Sequence, residues 1–290
     1  MNVTRFIDAP AFYAAAEAFL LAHEAENGLM IGLARGMIHV PNLYLNPYFA
    51  LVHDENLPVL ACLMTPPNAP VLSYGAENEV LTAAVDALIA DMRPSYPALA
   101  GVTAPTSAAA AFAAAWTRLT RQPARVKLHE RLYRLDRVTP ARPVSGALRP
   151  ITHIDRAVMI DWLYAFEVEA FGASSREETE RRFDTVIQTG VRRYFFWEDD
   201  GEIVSLSGAG GETPNGIRLG PVYTPPELRG RGYASACVAA LTQQLLDEGR
   251  QFVTLFTDLA NPTSNHIYQA LGYQPVTDFE LFTFAALTFG

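Results

Sequence analysis

The segment Val138-Thr-Pro-Ala-Arg-Pro-Val-Ser-Gly146 carries prolines, a glycine and no hydrophobic periodicity, and it cuts the sequence in two. On both sides strands alternate with helical patterns. Before the cut, helices are expected near Ala11–Ala25, Glu77–Met92 and Ser107–Arg121. Strands are expected near Tyr48–Val52, Val59–Thr65, Val71–Tyr74, Ala100–Thr103 and Val126–Leu135. After it come a strand at Leu148–Ile151, helices near Arg156–Ala170 and Ser175–Gln188, and a hairpin closed at Asp200-Gly201. A strand at Ile217–Tyr223, a helix at Gly232–Glu248, a strand at Phe252–Thr257, a helix at Pro262–Leu271 and two terminal strands from Gln274 to Phe284 complete it. The shared order favours a tandem duplication over two unrelated α/β halves. The division is 1–137, a linker at 138–146, and 147–290.

Length agrees, since 290 residues make two domains at about 100–200 residues each. Half of the residues are apolar, which excludes a disordered chain. The net charge of −9 argues against nucleic acid or an anionic membrane as partner, because phosphate contact needs excess Lys and Arg. The first half holds 10 basic and 12 acidic residues, and residues 138–290 hold 12 and 19, so the two halves differ in character. No apolar run approaches the roughly 18 residues of a membrane span. The N-terminus has no signal-peptide pattern, and Cys62 and Cys237 read as buried thiols in a reducing cytoplasm. No His/Cys/Asp cluster suggests a metal.

The sharpest local pattern is Val222-Tyr-Thr-Pro-Pro-Glu-Leu-Arg-Gly-Arg-Gly-Tyr-Ala234. Pro225 and Pro226 stop the strand, because neither has an N–H for a ladder. The following helix has a core stripe of Ala234, Cys237, Val238, Leu241 and Leu245. The first N–H groups of a helix lack intrahelical acceptors and carry partial positive charge, so this turn suits an anion. Gly230 and Gly232 let backbone amides approach, and Arg229 and Arg231 add charge. The bland alternative is a solvated turn with two surface arginines. A second pattern follows the next strand, where Asn261 suits an N-cap and Pro262 the first helical position. Asn261, Ser264 and Tyr268 then share one face, with Ile267, Ala270 and Leu271 largely on the other as core.

Together these segments resemble the GCN5-related N-acetyltransferase (GNAT) superfamily. Arg229-x-x-Gly232-x-Ala234 is similar to its pyrophosphate motif, and Asn261, Ser264 and Tyr268 to its Asn-x-x-Ser-x-x-x-Tyr stretch. The motif resemblance covers Val222–Tyr273, and element order extends it over about 146–284. It implies two tandem GNAT-like domains of α/β (α+β) class. Each would be a mixed, mostly antiparallel sheet with splayed central strands flanked by helices. The corresponding turn of the first half, Tyr74-Gly-Ala-Glu-Asn-Glu79, has two acids and no arginine, so that half is expected to be degenerate.

The resemblance further implies acetyl-CoA as co-substrate. Its pantetheine arm would pair with backbone of Val222 and Tyr223. Its diphosphate would lie on Arg229, Gly230, Arg231, Gly232, Tyr233 and Ala234, with Asn261 and Ser264 bonding other groups of the ligand. An amine, small or on a protein, would attack the thioester directly, and Tyr268 would protonate the leaving thiolate. Glu167 and Glu169 stand where the superfamily places its acceptor-binding helix, and they are candidate bases. Asp258, Glu227, Asp278, Glu280 and a water chain are the alternatives. Cys237, on the core stripe, is not expected to form an acyl-enzyme. A non-catalytic CoA-binding or interaction module on the same fold is the rival reading, and a homodimer is left open.

Overall fold

A computed structural model describes residues 1–172 and 174–285. Residue 173 and the last five residues of the expected 147–290 domain lie outside the described residues. The chain forms two compact units. One comprises Met1–Leu132, Phe256–Asn261 and the chain from Pro275 onward; the other comprises Tyr133–Leu255 and Pro262–Gln274.

The first unit begins with β1 (Asn2–Phe6), α1 (Ala9–Leu21) and α2 (Gly28–His39). It continues through β2 (Tyr48–Asp54), β3 (Leu57–Met64), β4 (Val71–Leu72), α3 (Asn78–Met92), β5 (Gly101–Pro105), α4 (Thr106–Thr120) and β6 (Ala124–Leu135, whose last residues pass into the second unit). Period-two alternation builds three layers. Phe49, Leu51, Ala61 and Leu63 face α1 and α2, whereas Ala50, Val52, Leu60 and Cys62 face α3 and α4. Sequence reasoning passed over β1 and α2. The α2 sequence contains Gly28, Gly32 and Gly36, which weaken intrinsic helix preference. Tertiary packing of Met30, Ile31, Ala34 and Met37 against α1 holds it helical.

The second unit contains β7 (Ala147–Pro150), α5 (Arg156–Phe171), α6 (Arg176–Thr189), β8 (Arg192–Asp199), β9 (Glu202–Gly210), β10 (Gly216–Tyr223) and α7 (Tyr233–Asp247). The start of β11 (Phe252–Asp258) and α8 (Pro262–Ala270) complete it. Asp200 and Gly201 both have positive φ, 50° and 80°, as the expected two-residue hairpin turn requires. Tyr194, Phe196 and Leu206 pack under α5 and α6, while Phe195, Ala209, Ile217, Val253 and Leu255 pack with α7 and α8. The two halves of the chain have the same element order, and in each the strand pairs are mostly antiparallel with a parallel pair, β4–β5 and β10–β11.

Two features of the sequence division change. The terminal region is one strand, β12 (Gln274–Phe284), in place of two. From Pro275 it belongs to the first unit, antiparallel to β5 with Phe279 opposite Pro105 and Thr283 opposite Gly101. The aromatic residues of β12 explain this. Phe284 stacks near Phe112 and Trp116, at 6.4 and 6.0 Å between centroids, and Phe282 packs on the same cluster. A boundary drawn at a Pro/Gly segment cannot foresee a strand that crosses back. The expected linker is also docked. Val138 and Ala141 pack on the second unit's core, Val144 sits near Tyr233 and Leu228, and Trp197 donates to the Ser145 carbonyl at 2.8 Å.

Candidate active site

The parallel pairing of β10 and β11 joins Gly216 to Phe252, Ile217 to Val253 and Arg218 to Thr254, and ends there. Against β9 the register of β10 shifts between Leu219 and Val222, around a cis Gly220–Pro221 peptide. Past the shift Val222 and Tyr223 pair again with Ser207 and Leu206 of β9, so the far end of β10 keeps its antiparallel partner after the parallel one has ended. Other groups hold it. The buried Ser205 hydroxyl donates to the Tyr223 carbonyl at 3.3 Å and contacts the Thr224 hydroxyl at 2.9 Å. Trp162 of α5 packs edge-on against Tyr223, 5.8 Å between centroids. Burial, with Glu169 nearby, raises the Tyr223 phenol above its usual range.

Beyond Tyr223 the chain makes one 3₁₀ turn at Pro226–Leu228 and then the glycine turn. Gly230 and Gly232 have φ of 76° and 89°, which side chains other than glycine's rarely adopt. A Cβ at Gly230 would meet nothing within 4 Å, so this backbone is open to approach. Helix α7 starts at Tyr233 with Gly232 as its N-cap and no side-chain cap. Its first amides thus keep their donors for something outside the helix.

The side chains of the turn are arranged by residues distant in sequence. Arg229 donates from Nε to the Thr224 carbonyl at 2.8 Å, and from Nη2 to both oxygens of Glu169 at 2.9 and 2.8 Å. Its guanidinium lies 5.9 Å from the Tyr223 ring centroid. Arg231 reaches the Glu227 carbonyl at 3.3 Å, and Tyr233 donates to Asp199 at 2.8 Å. Ala234 is half-buried, as is Val222. Ser205, Asp199 and the Glu169–Arg229 pair were not legible in the sequence, because each acts across a long chain separation.

Helix α8 starts at Pro262 as expected. The Asn261 N–H donates to the Asp258 carbonyl at 3.0 Å, Asn261 is exposed and Ser264 is half-buried. Tyr268 is buried in the core cluster with Leu271 and Tyr273, and its ring lies edge-on to Tyr273 at 5.9 Å. Burial pushes its phenol well above the usual range. The Asn-Ser-Tyr stripe therefore turns inward at its end. Ala270, expected in the core, is exposed, and so is His266. Asn265, which the sequence did not single out, accepts from the Tyr133 hydroxyl at 3.0 Å.

The candidate bases separate. Glu167 accepts from Thr179 at 2.7 Å and pairs with Arg182 at 2.6 Å, which ties α5 to α6. Glu169 pairs with Arg229, and Asp258 caps its own turn by accepting from the Ala260 N–H at 2.8 Å. Asp278 and Glu280 lie on β12 in the first unit, paired with Arg131 and His129 at 2.7 and 3.1 Å. Glu227 is exposed. Cys237 is fully buried, and burial pushes its thiol up to about 12, against any nucleophilic role. Among the described residues no group of three metal-ligating side chains occurs, and no helix is long and apolar enough to cross a membrane.

Residues 157–273 match the acetyltransferase (GNAT) family model. Those residues form a GNAT domain. Its matched span runs from the first turn of α5 to Tyr273 and includes the glycine turn and the α8 stripe. Solved structures of GNAT proteins share the fold over nearly the whole chain. A tandem GNAT protein from the clavulanic acid biosynthesis pathway is 16% identical, covers 98% of this chain and of its own, and superposes with a TM-score of 0.58. A GCN5-related N-acetyltransferase from Sphaerobacter thermophilus is 18% identical over 97% of this chain and 94% of its own, with a TM-score of 0.57. A GNAT-family acetyltransferase from Colwellia psychrerythraea is 12% identical over 98% and 99%, with a TM-score of 0.55. At these identities the likeness is one of fold. No functionally curated protein is detectably similar in sequence.

Proposed function

We propose that this chain is an acetyl-CoA-dependent N-acetyltransferase whose working site lies in its C-terminal GNAT half. The observation that carries the reading is the uncapped α7 start, where Gly230 and Gly232 hold positive φ beside Arg229. Those features suit a diphosphate, because backbone donors and the helix dipole act together there. The edge of β10 at Val222 and Tyr223, past the end of the β11 pairing, offers backbone groups to the amides of a pantetheine arm. Asn261 and Ser264 would bond polar groups of the same ligand.

Acetyl-CoA supplies an activated thioester. The chain's residues would bring a neutral amine to its carbonyl carbon, where a C–N bond forms and the C–S bond breaks. A β10 amide near Tyr223 would stabilise the oxyanion. Tyr268 would give its proton to the departing thiolate and regain one from solvent. Its raised pKa keeps that proton in place at neutral pH. The amine would lose its proton to water or to a carboxylate reached through water, because Glu167 and Glu169 are already paired with arginines. The acceptor would be a small-molecule or protein amine.

Burial of Tyr268 among Leu271 and Tyr273 also favours a second reading, a CoA-binding module without turnover. One experiment separates them. Calorimetry with acetyl-CoA should give one site per chain, and an amine panel scored by release of free CoA should give turnover. Binding without turnover on any amine would favour the module, and no binding at millimolar acetyl-CoA would exclude both.

A further inference from the structure

We propose that Glu169 is the counter-ion that the diphosphate of an acyl-CoA displaces from Arg229. We also propose that the released carboxylate then holds the ammonium of the acceptor, so that donor binding prepares the acceptor site. This rests on the acetyltransferase reading above and makes Glu169 a positioning residue.

Arg229 is not free to follow an incoming ligand. Its Nε is fixed to the Thr224 carbonyl at 2.8 Å, at the end of β10. Only its outer nitrogen, Nη2, reaches Glu169, and it meets both carboxylate oxygens. A diphosphate at the α7 start would compete for that nitrogen with more negative charge and with the α7 amides as further donors. The exchange is cheap on the Glu169 side, because both side chains are 47% exposed and such a pair contributes little.

Release changes what Glu169 attracts. It stands in the last turn of α5, two residues before the final helical residue Phe171, and that turn holds no basic residue. The helix dipole places partial negative charge there, which opposes a carboxylate and favours a cation beside it. Glu167, two residues earlier on the chain, already has Arg182. Once Nη2 of Arg229 bonds the diphosphate in place of Glu169, Glu169 is a carboxylate at a negative helix end, which favours a cation such as an ammonium group. No proton transfer is assigned to it.

The test is the opposed response of donor and acceptor in Glu169→Gln. Acetyl-CoA should bind roughly two- to five-fold more tightly by calorimetry, the scale of an exposed ion pair removed from competition. The acceptor KM should rise for the amine turned over best, with the donor KM falling. A merely structural role would not move the two in opposite directions. Glu177→Gln, which breaks only the exposed pair with Arg181, should leave both unchanged. Unaltered or weaker acetyl-CoA binding in Glu169→Gln overturns the displacement, and an unaltered acceptor KM overturns the ammonium role. Glu169→Ala repeats the measurement if the glutamine variant misfolds. Loss of the fold in both would also overturn the proposal, because a displaceable counter-ion cannot be needed for folding. If neither wild type nor variant binds acetyl-CoA, the acetyltransferase reading fails instead.

Discussion

The two units use one element order but end their central strands differently. In the second, β10 runs into Pro225, Pro226 and a glycine-arginine turn, and α7 begins after Gly232 with no acidic residue in its first turn. In the first, β4 is two residues long, the turn is Tyr74–Glu79, and α3 begins with Glu79 in its first turn. A carboxylate there satisfies the helix dipole from within the chain and repels an incoming anion. The helices after the parallel strands differ in the same sense. α8 carries Asn265, Ser264 and Tyr268, whereas α4 is Ala-rich and has no tyrosine. The same architecture therefore keeps its core in both places, while the glycine-arginine turn and the tyrosine-bearing helix occur in one.

The contrast breaks first at Tyr268. Tyr268→Phe should lower kcat by about 100-fold, the lower range for loss of a general acid, with acetyl-CoA affinity unchanged. A kcat within threefold of wild type would remove the acid assignment. Next comes the backbone. Gly232→Val forces a branched side chain into φ of 89°, with the Cβ 3.0 Å from Val144. It should destabilise by about 1–3 kcal/mol and weaken acetyl-CoA binding at least about tenfold. Gly75→Val, at φ of 145° against the Phe19 ring, should lower the melting temperature and leave acetyl-CoA binding intact. If Gly75→Val abolished binding, the division of labour between the units would be wrong.

A smaller effect concerns acid stability of the second unit. The Asp155 carboxylate is held at about 2, first by the Arg149 guanidinium and then by the Thr152 backbone and hydroxyl. Its folded value lies below the unfolded one, so the stabilisation is complete above about pH 4 and is lost as pH falls through about 2. Asp155→Asn should cost about 2 kcal/mol in denaturant melts at pH 7 and progressively less toward pH 2. A constant cost across that range would mean the loss is not electrostatic. The smallest effect is the sharpest comparison. Glu77→Gln with Glu79→Gln should change stability by no more than about 0.5 kcal/mol and leave stoichiometry at one. A second acetyl-CoA site in that variant would show that charge alone had silenced the first unit.

Much of the site could be read from the chain because its parts are local. Gly230 and Gly232 mark a turn, Pro262 starts a helix, and Asn261, Ser264 and Tyr268 share a face by helical spacing. What could not be read depends on partners chosen by folding. Glu169 and Arg229 are 60 residues apart and meet only because α5 packs over the end of β10. The inward turn of Tyr268 depends on Tyr273 and Leu271 closing over it. That Asp278 and Glu280 belong to the first unit follows from the pairing of β12 with β5.

The sequence by itself determined that strands and helices alternate, that the order repeats, and which half carries the glycine-arginine turn and the tyrosine stripe. These are properties of hydrophobic period, proline and glycine, which act over a few residues. Only the tertiary structure decided that the terminal strand completes the first unit, that the Pro-rich segment is docked on the second, and that the turn's arginine is held by a glutamate of α5. Those outcomes follow from which apolar faces and which charges meet when the sheets form, and short-range pattern carries no record of that choice.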